Sequence, residues 1–288
     1  MKLGTTGAVL FTLLIATGCV LAKSKVEVSA GQSILSTPTG TIAVKGGSIP
    51  RRIYVISLKS GVARKVVATD AVYGLDLSPN GRRIAFCGDR GIWMMNSDGS
   101  NPTRISRIGA GEVEWSPNSR QLLLGSDGVL LVMSTNGRVV RNLATHAEAA
   151  DWWPGTNRLV FVRNPDQSSR NGVISTVRSD GHDIRQIVYD GRWYGPHISP
   201  DGKRIVFYKA GVSGVYVASL KDGKPKLLVR NGSRPEWSPD GRFIAFTRNA
   251  RCGEEACTSR VFIVASSGGK ARPYGPLIGD IGGLSWSR

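Results

Sequence analysis

The sequence predicts an all-β fold, a six-bladed β-propeller whose blades are four-stranded antiparallel sheets. Three observations indicate it. A strand–turn–strand phrase recurs along the 288 residues, a second β-rich phrase follows each copy, and the two ends of the chain each hold part of one blade. The repeat spacing is roughly 37 to 49 residues, which is the blade length of a propeller.

The first phrase predicts a strand, a tight turn and a second strand. It is clearest at residues 235–246, Pro-Glu-Trp-Ser-Pro-Asp-Gly-Arg-Phe-Ile-Ala-Phe, with copies at 77–86 and 198–207 and looser ones starting at Trp115 and Trp152. Proline fixes φ at the second turn position, and Asp-Gly or Asn-Gly tolerates positive φ. The tryptophans at one repeat position are expected in the core: Trp115, Trp152, Trp237 and Trp286.

The second phrase is a β-rich run that closes in another turn. Its six copies occupy residues 53–61, 91–99, 129–137, 172–181, 214–223 and 260–269. A further strand follows each of these turns, as at residues 64–67 and 226–229. Every unit is therefore expected to hold four short strands joined by hairpins.

The two chain ends predict how the ring closes. Residues 284–288 form the first strand of a blade with nothing after it, and the N-terminal unit, starting near residues 41–44, lacks a first strand. We expect the C-terminal strand to pair with the N-terminal blade, because this hides sheet edges that would otherwise be exposed. A seven-bladed ring with one degraded blade is the alternative.

The Trp-Ser-Pro-Asp-Gly phrase, followed by an Ile-Tyr-Val-like strand and a glycine turn, resembles the WD40-like repeats of TolB-like six-bladed propellers over residues 40–288. The resemblance implies the fold and says little about function. TolB itself has an α/β domain before its propeller, so only the propeller domain is matched. Similar repeats form the lid of prolyl-oligopeptidase-like hydrolases, but we find neither room for a hydrolase domain nor a Gly-x-Ser-x-Gly elbow.

The N-terminus predicts export. Residues 1–22 have the layout of a secretory signal peptide, and residues 23–39 form an extension before the propeller at 40–288. Cleavage after Ala22 would release a soluble protein, whereas the lipobox-like Ala-Thr-Gly-Cys at residues 16–19 would make Cys19 a lipidated N-terminus. An uncleaved anchor is a further alternative. We expect a location in the periplasm or at the cell surface.

The net charge limits the classes of partner, and the cysteines predict a disulfide. The formal net charge is +17, but Lys and Arg recur through every repeat, so a diffusely basic surface is the simplest interpretation. For an exported monomer we expect no nucleic-acid partner, and instead a protein or peptide with acidic character, anionic lipid headgroups or cell-wall polymers. Cys252 and Cys257 predict a local disulfide in an oxidising compartment, and Cys87 reads as a buried strand residue.

A ring of polar residues is predicted in the central channel. First-strand residues alternate between the channel and the packing between blades, so the residue before each core position faces the channel. These residues are Asp76, Glu114, Asp151, His197, Glu236 and Ser285. No cofactor is required, but the carboxylates of Asp76, Glu114, Asp151 and Glu236 could hold Ca²⁺, or the ring an amine-bearing ligand. Alternatively, they pair with arginines or bind channel water.

A second candidate site lies on one face of the ring. Residues 163–171 and 247–259 read as long loops between second and third strands, and the connection at 189–194 opens on the same face. Arg163, Arg192, Trp193 and Tyr194 are of the types that form binding hot spots. Alternatively, Trp193 and Tyr194 pack between blades.

Three functions remain open from the sequence. The leading hypothesis is a non-enzymatic protein-interaction or scaffold module at the bacterial envelope, binding through its loop-rich face. The second is binding of Ca²⁺ or a small cationic ligand in the channel. The third is a lyase or lactonase acting at the pore mouth and depending on His197, one of only three histidines.

Overall fold

The computed structural model describes residues 38–46, 52–68, 72–126, 128–145, 147–163, 172–188, 191–209, 214–252 and 257–287. Residues 1–22 with Cys19, and most of the extension at 23–39, lie outside these ranges, so their predictions stay predictions. Regular structure in the described ranges consists of strands, arranged as six four-stranded antiparallel sheets. No helix in this part of the chain is long and apolar enough to cross a bilayer.

The strands follow the predicted repeat, four to a blade. Blade 1 contains β24 (Gly283–Ser287), β1 (Thr41–Gly46), β2 (Arg52–Ser57) and β3 (Ala63–Ala68). Blade 2 contains β4 (Val72–Leu77), β5 (Arg83–Gly88), β6 (Gly91–Asn96) and β7 (Thr103–Ser106). Blade 3 contains β8 (Glu112–Trp115), β9 (Gln121–Ser126), β10 (Val129–Ser134) and β11 (Val139–Thr145).

The second half of the ring repeats this order. Blade 4 contains β12 (Ala147–Trp153), β13 (Arg158–Arg163), β14 (Val173–Arg178) and β15 (Arg185–Val188). Blade 5 contains β16 (Trp193–Ile198), β17 (Arg204–Lys209), β18 (Gly214–Ser219) and β19 (Lys226–Arg230). Blade 6 contains β20 (Ser233–Trp237), β21 (Phe243–Cys252), β22 (Cys257–Ala265) and β23 (Arg272–Gly279).

The ring closes as predicted. Strand β24 pairs antiparallel with β1, with Thr41 opposite Ser287 and Val44 opposite Leu284. As the first strand of blade 1, β24 also contacts the first strands of the two neighbouring blades, β4 and β20. Six blades and this closure confirm the predicted fold, and no seventh blade is present in the described ranges.

In the first repeat phrase, the serine and the Asp or Asn two residues later stabilise the turn by hydrogen bonds. Ser199 Oγ donates to Asp201 Oδ1 at 2.5 Å and accepts the Arg204 N–H at 2.9 Å, while Gly202 has φ 68°. The same bonds recur at the other copies of the phrase, around Ser78, Ser116 and Ser238. These bonds lie within a single hairpin and need no contact from another blade, which is why the phrase predicts the blade so well.

The hydrophobic core lies between blades. Six clusters of buried residues each join two neighbouring blades, and one of them joins blades 6 and 1. A phenylalanine in the second strand of four blades is almost fully buried: Phe86, Phe161, Phe207 and Phe246. Cys87 is fully buried as predicted, and burial raises the pKa of its thiol to about 12.

The propeller has two ends. We call the turn face the end at which first and second strands, and third and fourth strands, are joined. The mouth face is the opposite end, where second and third strands are joined and the chain passes between blades. On the mouth face, β21 and β22 place Cys252 opposite Cys257 in the backbone pairing, but their side chains lie outside the described residues, so the disulfide stays a prediction.

Candidate functional site

The first strands bring the predicted channel residues to one level. Each of them occupies the same register position against the second strand of its blade. The pairs are Asp76 with Ala85, Glu114 with Leu123, Asp151 with Val160, His197 with Val206, Glu236 with Ala245, and Ser285 with Ala43. We call these six residues the channel ring.

The residue after each ring position packs in the core. Trp115, Trp237 and Trp286 are 5%, 3% and 7% exposed, as predicted, and Trp152 is half-buried against the core between blades 3 and 4. Two of the indoles also bind the preceding blade. Trp115 Nε1 donates to the carbonyl oxygen of Asp76 at 3.2 Å, and Trp237 Nε1 donates to that of His197 at 2.9 Å.

Some ring side chains join neighbouring blades. Asp76 Oδ2 accepts the Trp115 N–H of blade 3 at 2.6 Å, and Asp76 Oδ1 accepts the Ser285 hydroxyl of blade 1 at 2.5 Å. Asp151 accepts the N–H groups of Trp152 at 2.6 Å and of Ile198 in blade 5 at 2.9 Å. These two carboxylates therefore have a structural role, whatever else they do.

His197 and Glu236 form a close pair. His197 Nδ1 lies 3.2 Å from Glu236 Oε2 and 3.9 Å from Asp151 Oδ2. Burial lowers the pKa of His197 to about 4, and it raises the pKa of Glu236 well above its ordinary value. These directions favour a neutral pair, in which the protonated Glu236 carboxyl donates to the imidazole.

Burial dominates the electrostatics of the remaining carboxyls. It raises the pKa of Asp76 to about 6 and that of Asp151 to about 7, although backbone N–H donors oppose the shift at both. The pKa of Glu114 is raised well above its usual range by burial and then by the nearby charges of Asp76, Asp151 and Glu236. Near neutral pH the ring thus tends to hold protons, or a cation that takes their place.

One subset of the ring has the geometry of a metal site. Glu114, Asp151 and His197 each offer a donor atom, and these atoms all lie within 4.8 Å of one another. This set differs from the predicted one, because it includes the histidine. Asp76 and Glu236 lie outside this set: Asp76 accepts hydrogen bonds with both oxygens, as Asp151 within the set also does, and Glu236 is turned towards His197 and the Trp237 N–H.

Above the ring, the channel opens into a cavity of about 310 Å³ on the mouth face. It owes its space to the residues two positions before each ring residue, most of which are small. They are Gly74, Glu112, Ala149, Gly195, Arg234 and Gly283, and all of them line the cavity. Tyr73, Tyr194 and Tyr208 stand around them, and the rings of Tyr194 and Tyr208 are 5.7 Å apart.

Four of these six positions lie in β-bulges: Gly74, Ala149, Gly195 and Arg234. The pairing of β4, β12, β16 and β20 shifts register there, and Ala149, Gly195 and Arg234 have φ of 41°, 51° and 50°. A left-handed conformation is unfavourable for Ala and Arg, and bulges often re-aim side chains beside functional sites. Arg234 thereby takes part in lining the cavity.

The residues predicted for the loop-rich face separate on the structure. Arg163 and Arg192 are exposed, and Tyr194 is half-buried at the cavity. For Trp193 the structure supports packing between blades and not a place on the interaction face. It is 5% exposed, and its ring packs 4.9 Å from Phe207 and 5.2 Å from Tyr216, so it belongs to the core between blades 4 and 5.

A second correction concerns residues 247–259. They are largely strand rather than loop, because β21 and β22 are ten and nine residues long and pair up to Cys252 and Cys257. Residues 164–171 and 189–190 lie outside the described part of the chain. The long extension on blade 6 is therefore a paired hairpin at the mouth face.

Sequence reasoning missed several cavity residues: Lys45, Tyr73, Glu112, Tyr208 and Arg234. Lys45 is 4% exposed and donates from Nζ to the carbonyl oxygen of Tyr73. The sequence does contain a signal for two of them. The residue two positions before each ring residue is Glu112 in one blade and Arg234 in another, and it is Gly or Ala in the remaining four blades.

Comparisons with known proteins agree with the fold. No protein-family model and no curated protein sequence matches the chain. Among solved structures, TolB from Acinetobacter baumannii superposes with a TM-score of 0.73 at 13% identity, covering 88% of this chain and 67% of that one. A putative TolB from Agrobacterium tumefaciens gives 0.66 at 17% identity, covering 86% and 92%.

A third neighbour is an oligogalacturonate lyase solved in complex with manganese. Its TM-score is 0.53 at 14% identity, covering 77% of this chain and 70% of that one. Identities this low establish the fold alone. At that level the resemblance to TolB-like propellers is confirmed.

Proposed function

We propose that this chain is an exported propeller that binds a segment of a partner protein or peptide at the mouth face, with the cavity above the channel ring at its centre. The observation that carries the proposal is the cavity itself. The small residues two positions before the ring residues leave a cavity whose volume lies at the lower end of the range for ligand sites, about 300 to 1,000 Å³. Tyrosine and arginine side chains, the types enriched at binding hot spots, surround it.

The charges around the cavity support a polar partner segment. Arg234, Lys45 and Glu112 line the upper wall, whereas Glu114 and His197 lie deeper. A bound segment would therefore meet charges of both signs first and carboxyls below. Arg163 and Arg192, exposed on the same face, add cationic groups around the cavity, in keeping with an acidic partner.

Site-specific photo-crosslinking in cells tests this proposal. A benzoylphenylalanine at position 73 or 194, both now tyrosine at the cavity, should crosslink to a discrete protein. The same probe at position 120, an exposed arginine on the turn face, is the matched control. Equal crosslinking from both faces, or none from the cavity positions, would refute the proposal.

A divalent cation in the channel is a second candidate, favoured by the grouping of Glu114, Asp151 and His197. Two carboxylates and one imidazole suit Mn²⁺ or Zn²⁺ better than Ca²⁺, which prefers an all-oxygen set. A fold neighbour crystallised with manganese makes this ion the first to try. Bound metal would favour the ionised forms of the raised-pKa carboxyls.

Thermal unfolding with each ion and with chelator tests the cation. Mn²⁺ at 100 times its dissociation constant should stabilise the chain by about 3 kcal/mol. Glu114→Gln should abolish the shift. Glu112→Gln, one channel level higher and outside the donor set, should keep it. An unchanged melting temperature with every divalent ion would exclude the site.

A further inference from the structure

Many of the exposed basic residues of this chain lie on the turn face. The hairpins of the turn face carry exposed Lys or Arg in most blades. Those that form no ion pair within the described ranges are Lys59, Arg82, Arg83, Arg120, Arg138, Lys203, Lys221, Lys224, Lys226, Lys270 and Arg272. The Lys and Arg residues that recur in the repeats therefore form one cationic surface, because equivalent turns of all blades lie at the same end of a propeller.

The carboxylates on this face offset only part of that charge, because they are fewer than the cations. Asp201 and Asp222 accept backbone N–H groups of their own turns, from Lys203 and Lys224 at 3.1 Å. Asp183 instead binds Arg158 and Arg185, each at 2.7 Å. Asp98, Asp180 and Asp240 are held in the same ways. The turn carboxylates are therefore committed to local contacts, and the lysines listed above are left to solvent.

Exposed apolar side chains stand among these cations. Most of the large exposed hydrophobic residues lie where a fourth strand leaves the turn face. They are Val62, Val139, Val140, Ile184 and Leu227, from 37% to 62% exposed. Basic residues flank them, as Arg138 precedes Val139 and Lys226 precedes Leu227. Interleaved basic and apolar groups are typical of surfaces that rest on anionic lipid bilayers.

The N-terminal segment joins the propeller at this same face. Thr41, the first residue of β1, pairs with Ser287 and Ser57 at the turn end of blade 1. The carbonyl oxygen of Thr39 accepts the Trp286 indole N–H at 3.0 Å, and that of Gly40 accepts the Leu58 N–H at 3.1 Å. The described chain therefore enters the propeller at the turn face.

We propose that the turn face docks on an anionic lipid bilayer, so that the mouth face points away from the membrane. Two features carry this: the cations that form no ion pair, and the exposed apolar side chains beside them, at the face where the described chain enters the propeller. The proposal does not depend on a ligand in the channel or at the mouth. It commits to a lipid surface, because a soluble polyanion would give the apolar residues nothing to contact.

Vesicle co-sedimentation tests it with a chain starting at residue 23, which retains all six blades and the ring closure. Vesicles with about one third phosphatidylglycerol should bind the protein, and pure phosphatidylcholine should not. Lys203→Gln, Lys221→Gln and Lys224→Gln together should weaken binding on the order of 100-fold, since each lysine contributes about five-fold. Only backbone groups of these lysines form hydrogen bonds in their turns.

The matched control removes the same charge from the other face. Arg90, Arg107 and Arg230 are exposed at the mouth end, and their triple change to Gln lowers the net charge equally. It should leave vesicle binding within about two-fold. Equal loss in both triple variants would mean that net charge alone acts, and would overturn the proposal, as would absence of binding to anionic vesicles.

A third variant separates a bilayer from polyanions in general. Val62 is 62% exposed, so Val62→Ser should not disturb folding. It should weaken vesicle binding roughly ten-fold if the side chain enters the interface. If binding is unchanged, and heparin binds as tightly as vesicles, the surface recognises polyanions and the bilayer proposal is wrong.

Discussion

Asp151→Asn should reverse its effect on stability between pH 5 and pH 8. In the wild type, the pKa of Asp151 is raised from about 3.8 to about 7 by burial in the channel ring. The folded-state pKa lies above the unfolded one. The contribution of this group to stability is therefore complete below about pH 4 and is lost as the pH rises through 7.

The size of the effect follows from that shift. The rise in the pKa of Asp151 corresponds to ~4 kcal/mol at pH 8 and to less than half of that at pH 5. These are upper values, because the side chain keeps 18% of its exposure to channel water. Asparagine removes this penalty, but its amide nitrogen cannot accept one of the two N–H groups, from Trp152 or Ile198, that Asp151 accepts now. A buried unpaired donor costs about 1–3 kcal/mol.

The two terms predict a change of sign. At pH 5 the variant should be equal to the wild type or less stable, and at pH 8 it should be more stable by about 1–3 kcal/mol. Urea unfolding followed by tryptophan fluorescence at several pH values measures this. Asp201→Asn is the control, because asparagine occupies the equivalent turn position at Asn80 and Asn118. Parallel pH profiles for wild type and Asp151→Asn would refute the reasoning.

Two further predictions concern the channel. Ala149→Gly and Arg234→Gly should each stabilise the fold by about 1 kcal/mol in thermal unfolding, because both residues have left-handed φ. Only Arg234→Gly should also reduce crosslinking from position 194. Destabilisation by both substitutions would show that the bulges are not strained. Ser285→Ala should cost about 2–3 kcal/mol in urea unfolding, since its hydroxyl donates to Asp76 and accepts the Leu77 N–H at 2.9 Å, whereas Ser267→Ala on an exposed turn should cost almost nothing.

The fold could be predicted because its determinants are local. Ser199 and Asp201 form the same bonds wherever the phrase recurs, so one copy of the motif gives the geometry of the others. The channel ring followed from strict alternation along first strands. Both inferences need only neighbours in sequence and a period, which a single chain contains.

The cavity could not be predicted in the same way. Counting two residues back from each ring position reaches the cavity-lining residues, but bulges at Ala149, Gly195 and Arg234 interrupt the regular pairing there, so the count alone did not predict a cavity. Trp193 was misplaced for a related reason. It follows polar residues of a connection, yet it is the first residue of β16 and packs against Phe207.

The acidic character of the channel ring exceeds what the fold needs. Ser285, a neutral residue, accepts the Leu77 N–H of the next blade at 2.9 Å, and Asp151 does the same for Ile198 at the same distance. A hydroxyl therefore joins blades without the cost of burying a carboxyl. Glu114 has no such blade-joining backbone bond in the described ranges. Its side chain instead hydrogen-bonds Asp76 of blade 2, and burial, followed by the charges of Asp76, Asp151 and Glu236, raises its pKa, so a proton or the proposed cation would relieve the repulsion among these carboxyls.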